Sequence, residues 1–427
     1  MNRQIIGIAI IATMIFSIGN AQTYLHCGEL LDMKSSQVKQ EMTIIIDDDR
    51  IVDIVKGYKK AADSILTIDL KEEFVMPGWM DMHVHIEHES SPTRYLDRFR
   101  NEEADVALGA VKYCQRTLMA GFTTVRDLGG SGVNVSLKNA INRGEIPGPR
   151  IYTAEKALAT TGGHADPSNG MKDALMGDPG PKEGVINSIE EAKKAVRQRY
   201  KNGADCIKIT ATGGVLSVAK DGQGPQFTVE EVKAVVDAAA DYGYVTAAHA
   251  HGAEGMKRAV LGGIHSIEHG TMMNKEVMDL MKEKGTYYVP TISAGKFVAE
   301  KAAIPGYYPA IIVPKALKIG PQIQETFAKA YDYGLKIAFG TDAGVSPHGD
   351  NAKEFIFMTE AGMSNYEALQ TATVNAADLM KFEELGTIEE GKYADIIAMK
   401  GNPIDDISHT LDVSFVMKAG KVEKIIE

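Results

Sequence analysis

The sequence predicts an α/β fold, a (β/α)8 TIM barrel with a small β-sandwich domain formed by both termini, and three observations predict it. Between residues 77 and 385, eight apolar runs alternate with amphipathic helical stretches, the pattern of parallel strands joined by helices. Residues 22–76 and 386–427 instead carry short β-rich runs separated by turn residues. No Gly-x-Gly-x-x-Gly turn follows any run, which removes the main argument for an open doubly wound sheet.

Taken in chain order, residues 1–21 read as a secretory signal. Arg3 is the positive n-region, 5–18 is an apolar run, and Gly19-Asn20-Ala21 offers small residues before Gln22. That run is too short to span a bilayer, so the expectation is cleavage near Ala21-Gln22 and a secreted or periplasmic protein without stable membrane insertion. Strands are expected at 43–46, 51–55 and 65–68, then at 394–399 and 413–417 with a hairpin turn at 419–421. The eight candidate strands of the middle are 81–85, 123–127, 150–154, 205–210, 245–249, 264–268, 286–290 and 336–340. Helices are expected at 189–200, 229–242, 274–284 and 366–381. Two long loops, 161–187 and 293–322, would shape a pocket at the strands' C-terminal ends.

Composition narrows the function classes. Of 427 residues, 44% are hydrophobic and 24% charged, an ordinary globular mixture. The net charge of -11 becomes -12 once residues 1–21, with one Arg and no acid, are removed, which argues against nucleic acid or an anionic membrane as partner. Cys27, Cys114 and Cys206 are odd in number and form no CxxC pair, so neither a disulfide framework nor a thiolate zinc site is expected.

The chemistry concentrates at strand ends. In Met80-Asp81-Met82-His83-Val84-His85 the two histidines face one side of a strand and form a metal grip, or are merely two polar residues at a strand end. Lys208, between Ile207 and Ile209, is expensive to bury as an unpaired ammonium. It either reaches solvent or is carboxylated by carbon dioxide, giving an anion that bridges two cations. His249, His269 and Asp342 end later strands, so the six residues fall at strands one, four, five, six and eight.

This set, with Met76-Pro77-Gly78-Trp79-Met80-Asp81, Ser266-Ile267-Glu268-His269-Gly270 and the Gly386-x-Ile388-x-x-Gly391-x-x-Ala394-Asp395 tail, resembles the amidohydrolase superfamily over the whole mature chain. The likeness is to its imidazolonepropionase-like branch, with Xaa-Pro dipeptidases and Lys/Arg metallo-carboxypeptidases. The resemblance implies that His83, His85 and Asp342 hold the more buried metal, His249 and His269 the other, with carboxylated Lys208 between. Zinc suits these ligands best. Single-metal members lack the bridging lysine, so Lys208 speaks for two ions. The implied reaction is attack by a bridging hydroxide, with Asp342 as general base and then acid.

Substrate contacts are less sharply drawn. His164, on the Gly162-Gly163 loop, either donates to a developing oxyanion or bonds neighbouring backbone. His251 either holds a substrate α-carboxylate or replaces His249 as ligand. Tyr287 and Tyr288 either line the pocket or belong to the core. His88, His265, His348 and His409 read as surface or structural, and Arg126-Asp127 as an ion pair at the barrel mouth. Glu87, Glu89, Asp166 and Asp350 are candidates for an acidic wall facing a cationic side chain.

The expectation is a binuclear metal hydrolase for dipeptides or N-acyl amino acids, with C-terminal Lys, Arg or Pro as candidates. Rival readings are cleavage of another C–N or ester bond in a cyclic amide, lactone or aromatic N-acyl amino acid, and a metal-dependent binding protein, for which Asp342 would be superfluous. The sequence leaves homo-oligomerisation open.

Overall fold

The computed structural model describes residues 22–217 and 222–426, so the expected signal segment lies outside the described residues. The N-terminal strands are β1 (Thr23–Leu30), β2 (Lys39–Asp47), β3 (Arg50–Lys56) and β4 (Leu66–Pro77). Seven parallel strands follow: β5 (Trp79–Val84), β6 (Phe122–Asp127), β7 (Arg150–Thr153), β8 (Cys206–Thr210), β9 (Val245–Ala250), β10 (Ser266–His269) and β11 (Tyr287–Val289). The chain ends in β12 (Ile396–Met399), β13 (Val413–Lys418) and β14 (Lys421–Ile425).

Both termini build one sheet, in the order β14-β13-β12-β4-β1-β2-β3. Leu25, Ile44, Ile51, Val75, Ile396 and Phe415 form its apolar core. The expected sandwich is thus a single sheet that curls until Arg50 of β3 bridges Tyr393 beside β12. β1 was not anticipated from the sequence. It pairs in parallel with β4 through a bulge, where a Cβ on Gly28 would overlap the Lys71 carbonyl.

The parallel strands lie in two sheets, β5-β6-β7 and β8-β9-β10-β11. Leu158 joins them on one side: its N–H donates to the Lys208 carbonyl at 2.8 Å, and Thr210 N donates to its carbonyl at 2.9 Å. On the other side, where an eighth strand was expected, residues 336–343 run as irregular chain bonded to both neighbours. Tyr288 N donates to Lys336 O and Met82 N to Phe339 O, at 2.8 and 2.9 Å. The backbone contacts therefore return to the strand they began on.

The expected helices are found where their caps are strong. Helices Ile189–Asn202, Val229–Ala240 and Lys275–Lys284 start behind Ser188, Thr228 and Asn274, whose side chains accept from the third backbone N–H. The helix expected over 366–381 is instead two, Asn365–Thr371 and Val374–Met380. The carbonyls of Thr371 and Ala372 accept from Phe339 N and Met80 N, so they are unavailable to a continuous helix. Among the described residues, no helix is long and apolar enough to cross a membrane.

Candidate metal and active site

The six expected ligand residues gather at the C-terminal ends of the parallel strands, beneath a cleft of about 1250 Å³ lined by His83, His85, Lys208, His249, His269 and Asp342. Local backbone geometry explains the convergence. A regular strand sends Glu268 and His269 to opposite faces. A φ of 69° at His269 breaks that alternation: Glu268 Oε2 reaches His83 Nδ1 at 2.9 Å, and the His269 ring centroid lies 4.9 Å from that of His83. Asp342 (φ 57°) and Thr291 (φ 54°) are left-handed as well, so three such non-glycine residues meet at one site.

Partners on Nδ1 orient four of the imidazoles. His83 bonds Glu268, His85 bonds the Gly129 carbonyl at 2.6 Å, His251 bonds Thr271 Oγ1 at 2.8 Å, and His269 bonds Thr291 Oγ1 at 2.7 Å. Asp342 Oδ1 stands 3.4 Å from His85 Nε2 and 3.6 Å from His83 Nε2, and Lys208 Nζ lies 3.4 Å from His83 Nε2. His83, His269 and Asp342 offer ligand atoms within 4.8 Å of one another, a triad able to hold a cation. Asp342 Oδ1 is buried with no hydrogen-bond partner, which fits a site completed by a positive ion. His249 differs, because its Nε2 lies 3.1 Å from the Gly213 carbonyl and must leave it to act as a ligand.

Burial governs the charges. It holds His83, His249 and His269 well below the ordinary imidazole value, and brings His85 down to about 3 and His251 to about 4. These rings are neutral, as ligands must be. Burial raises Asp342 to about 7, opposed by the Lys208 and Arg94 charges, and lowers Lys208 to about 8, opposed by Glu268 and Asp342.

His164 is among the residues lining the cleft. Its ring stacks on His249 at 4.3 Å, its Nδ1 is buried without a partner, and a Cβ on Gly214 would overlap it. Several other expectations need correction. Tyr288 does not line the cleft: it is fully buried, and its hydroxyl donates to the His269 carbonyl at 3.0 Å. The Tyr287 hydroxyl donates to Asp378 Oδ2, away from the site. Arg126 pairs with Glu268 at 2.9 Å rather than with Asp127, which instead accepts from Ile86 N, Asn134 Nδ2 and Thr153 Oγ1.

Of the four carboxylates expected as an acidic wall, Glu87, Glu89 and Asp166 line the cleft and Asp350 does not. Glu87 accepts from Ser131 N and Asn134 N, Glu89 from His348 N, Asp166 from Gly162 N and Ser168, and Asp350 pairs with Lys353. His88, read as surface or structural, lines the cleft. Two further residues of the site, Glu268 and Arg94, are not singled out by the sequence pattern. Glu268 had a signal in its position inside an apolar strand box, whereas Arg94, in the loop after His85, had none beyond its placement near a strand end.

The amidohydrolase family model matches residues 74–425. A solved structure of a Xaa-Pro dipeptidase with methionine bound in its active site is 55% identical, covers 94% of this chain and 99% of its own, and superposes with a TM-score of 0.91. The ochratoxinase of Aspergillus niger is 31% identical over 94% of this chain and 86% of its own. An imidazolonepropionase of Caldanaerobacter subterraneus subsp. tengcongensis is 26% identical over 91% of each chain.

Proposed function

This chain belongs to the amidohydrolase family, in its imidazolonepropionase-like branch, and from that premise we propose that it hydrolyses the amide bond of dipeptides or N-acyl amino acids using two divalent cations. One observation carries the reading: the unpartnered Asp342 Oδ1 facing His83 and His85 Nε2 across from Lys208. His83, His85 and Asp342 would hold one cation and His249 and His269 the other, with Lys208 bridging and zinc as the metal that best suits the donors. Cations held there supply Lewis-acid polarisation of the scissile carbonyl and an acidified water.

The chain's own residues account for the remaining steps. With Lys208 lowered to about 8, part of it is free amine near neutral pH. That nitrogen adds to carbon dioxide and loses a proton, leaving a carbamate anion. Asp342 accepts the proton of the attacking water and returns it to the leaving amine. His164 Nδ1–H donates to the developing oxyanion. With His251 Nδ1 accepting from the Thr271 hydroxyl, its Nε2–H is free to donate to a substrate carboxylate.

The similar Xaa-Pro dipeptidase, with an amino acid in its site, favours dipeptides. The second reading is cleavage of another C–N or ester bond, and the ochratoxinase relative, named for a substrate that is not a dipeptide series, favours it. The returning backbone contacts support a (β/α)8 barrel over 77–385, with 22–76 and 386–427 as the second domain. The apolar run at 5–18 supports export after cleavage near Ala21-Gln22, and a mature chain beginning at Gln22 would bear it out.

The test is release of free amino acids by zinc-loaded protein from dipeptides ending in Lys, Arg, Pro or Met and from N-acyl amino acids. Turnover is expected on at least one series. Hydrolysis of lactones or cyclic amides alone would replace this reading with the second.

A further inference from the structure

The loop after His85 brings a guanidinium into the cleft. Arg94 opens the short helix Arg94–Asp97, and its Nη2 lies 2.8 Å from His88 Nε2. The His88 ring in turn stacks on His85, with centroids 5.7 Å apart and planes 17° from parallel. Arg94 Nη1 is buried and has no hydrogen-bond partner. The charge is heavily desolvated, which pulls it below its ordinary value against the pull of Tyr95, Asp342 and Tyr308.

An open donor on a buried guanidinium is costly, and the planar fork of Arg matches a carboxylate better than any other common group. Of the carboxylates that line the same cleft, Glu87, Glu89 and Asp166 are held by backbone donors, and Asp97, Glu103, Asp105 and Glu183 make no ion pair with Arg94. Asp342 reaches Arg94 only through its field and makes no hydrogen bond to it. Arg98, one turn on, adds a second positive charge to the rim while its Nη2 donates to the Pro167 carbonyl at 2.9 Å. Arg94 and His88 lie beyond His85, whereas His164 packs on His249, so the cleft has an imidazole-rich side and a guanidinium side.

We propose that Arg94 is a specificity-determining residue whose Nη1 takes a carboxylate of the substrate, so that a substrate carrying that carboxylate is taken over one of the same shape that lacks it. The inference deepens the proposed hydrolase reading and rests on it. The carboxylate is either the α-carboxylate of the leaving amino acid or a side-chain carboxylate on the acyl side, and matched substrate pairs separate the two sources.

The experiment uses the zinc-loaded full chain, R94Q and R94K with two pairs: an N-acyl amino acid against its C-terminal amide, and an Asp-Xaa against an Asn-Xaa dipeptide. In the wild type, the acidic member of one pair is expected to lead by about 10- to 100-fold in kcat/KM, mainly through KM. The pair showing the lead identifies the carboxylate. In R94Q that ratio should collapse to within about threefold, and R94K should recover part of it. Equal rates within both wild-type pairs, or a ratio preserved in R94Q while both members slow together, would overturn the proposal. If no pair is hydrolysed at all, calorimetric binding of the same compounds decides. An R94-dependent preference for the acidic member would then uphold Arg94 and fault the hydrolase reading, and equal affinities would fault Arg94.

Discussion

Two groups of buried polar side chains meet at His83, and they are satisfied differently. Beneath it, Arg126 donates to Met82 O, Ser266 Oγ and Glu268 Oε1 at 2.6, 3.1 and 2.9 Å, while the other Glu268 oxygen bonds His83. Asp81, beside them, accepts from His83 N, Thr341 N, Thr341 Oγ1 and Asn351 Nδ2. Above His83, Asp342 Oδ1, His164 Nδ1 and Arg94 Nη1 are buried without partners. An unsatisfied buried polar atom costs about 1–3 kcal/mol. The lower group is therefore scaffold, whose polar atoms complete one another, and the upper group carries a destabilisation that only bound ligands offset.

The sharpest way to break this contrast is Lys208→Ala. Metal and turnover should fall together, with short carboxylic acids restoring part of both. Two metals per chain with normal turnover would remove the bridging role. Asp342→Asn should keep most of the metal and lower kcat by about 10²- to 10⁴-fold, while Tm stays near the wild-type value, because the lost oxygen charge had no hydrogen-bond partner to strand. A large fall in Tm would move Asp342 to the scaffold group.

The lower group should behave in the opposite way. Glu268→Ala strands the fully buried Arg126 guanidinium, and the expected loss is about 3–5 kcal/mol in denaturant unfolding. Replacing both members by Met should cost much less than the two single changes summed. Equal and additive costs would show that the pair contributes nothing as a pair.

Much of this was legible in the sequence, and the limits have physical causes. The His83 and His85 grip follows from the period of two along a strand, and helices behind Ser188, Thr228 and Asn274 follow from capping chemistry. The apolar pattern of residues 336–340 predicts a strand. The chain bonds β11 and β5 in turn, so no regular ladder forms. His269 and Asp342 were found as residue types, while the left-handed backbone that lets Glu268 and His269 both reach His83 has no sequence signal at a non-glycine position. Tyr288 was misplaced because a three-residue strand does not reveal which face of an aromatic is in the core. Arg94 was missed because a charged residue in a loop looks solvated until its burial is known.

The smallest effect concerns a carboxylate that belongs to the satisfied group yet supports the site from a distance. Glu354 accepts from Ile292 N, Ser293 N and Ser293 Oγ at 2.7, 2.7 and 2.6 Å, capping helix Ile292–Ala302, whose preceding residue Thr291 orients His269. Burial raises its pKa from 4.5 to about 7 despite those donors. Because the folded value lies above the unfolded one, the bound proton stabilises the fold. The contribution is complete below about pH 4.5 and is lost as pH rises through about 7. Between pH 5 and pH 7 the loss should be about 2 kcal/mol, and Glu354→Gln should flatten that part of the stability curve. Parallel curves for the two proteins would mean that Glu354 is already ionised at pH 5, its three donors outweighing its burial. The helix cap beneath Thr291 would then be a charged one.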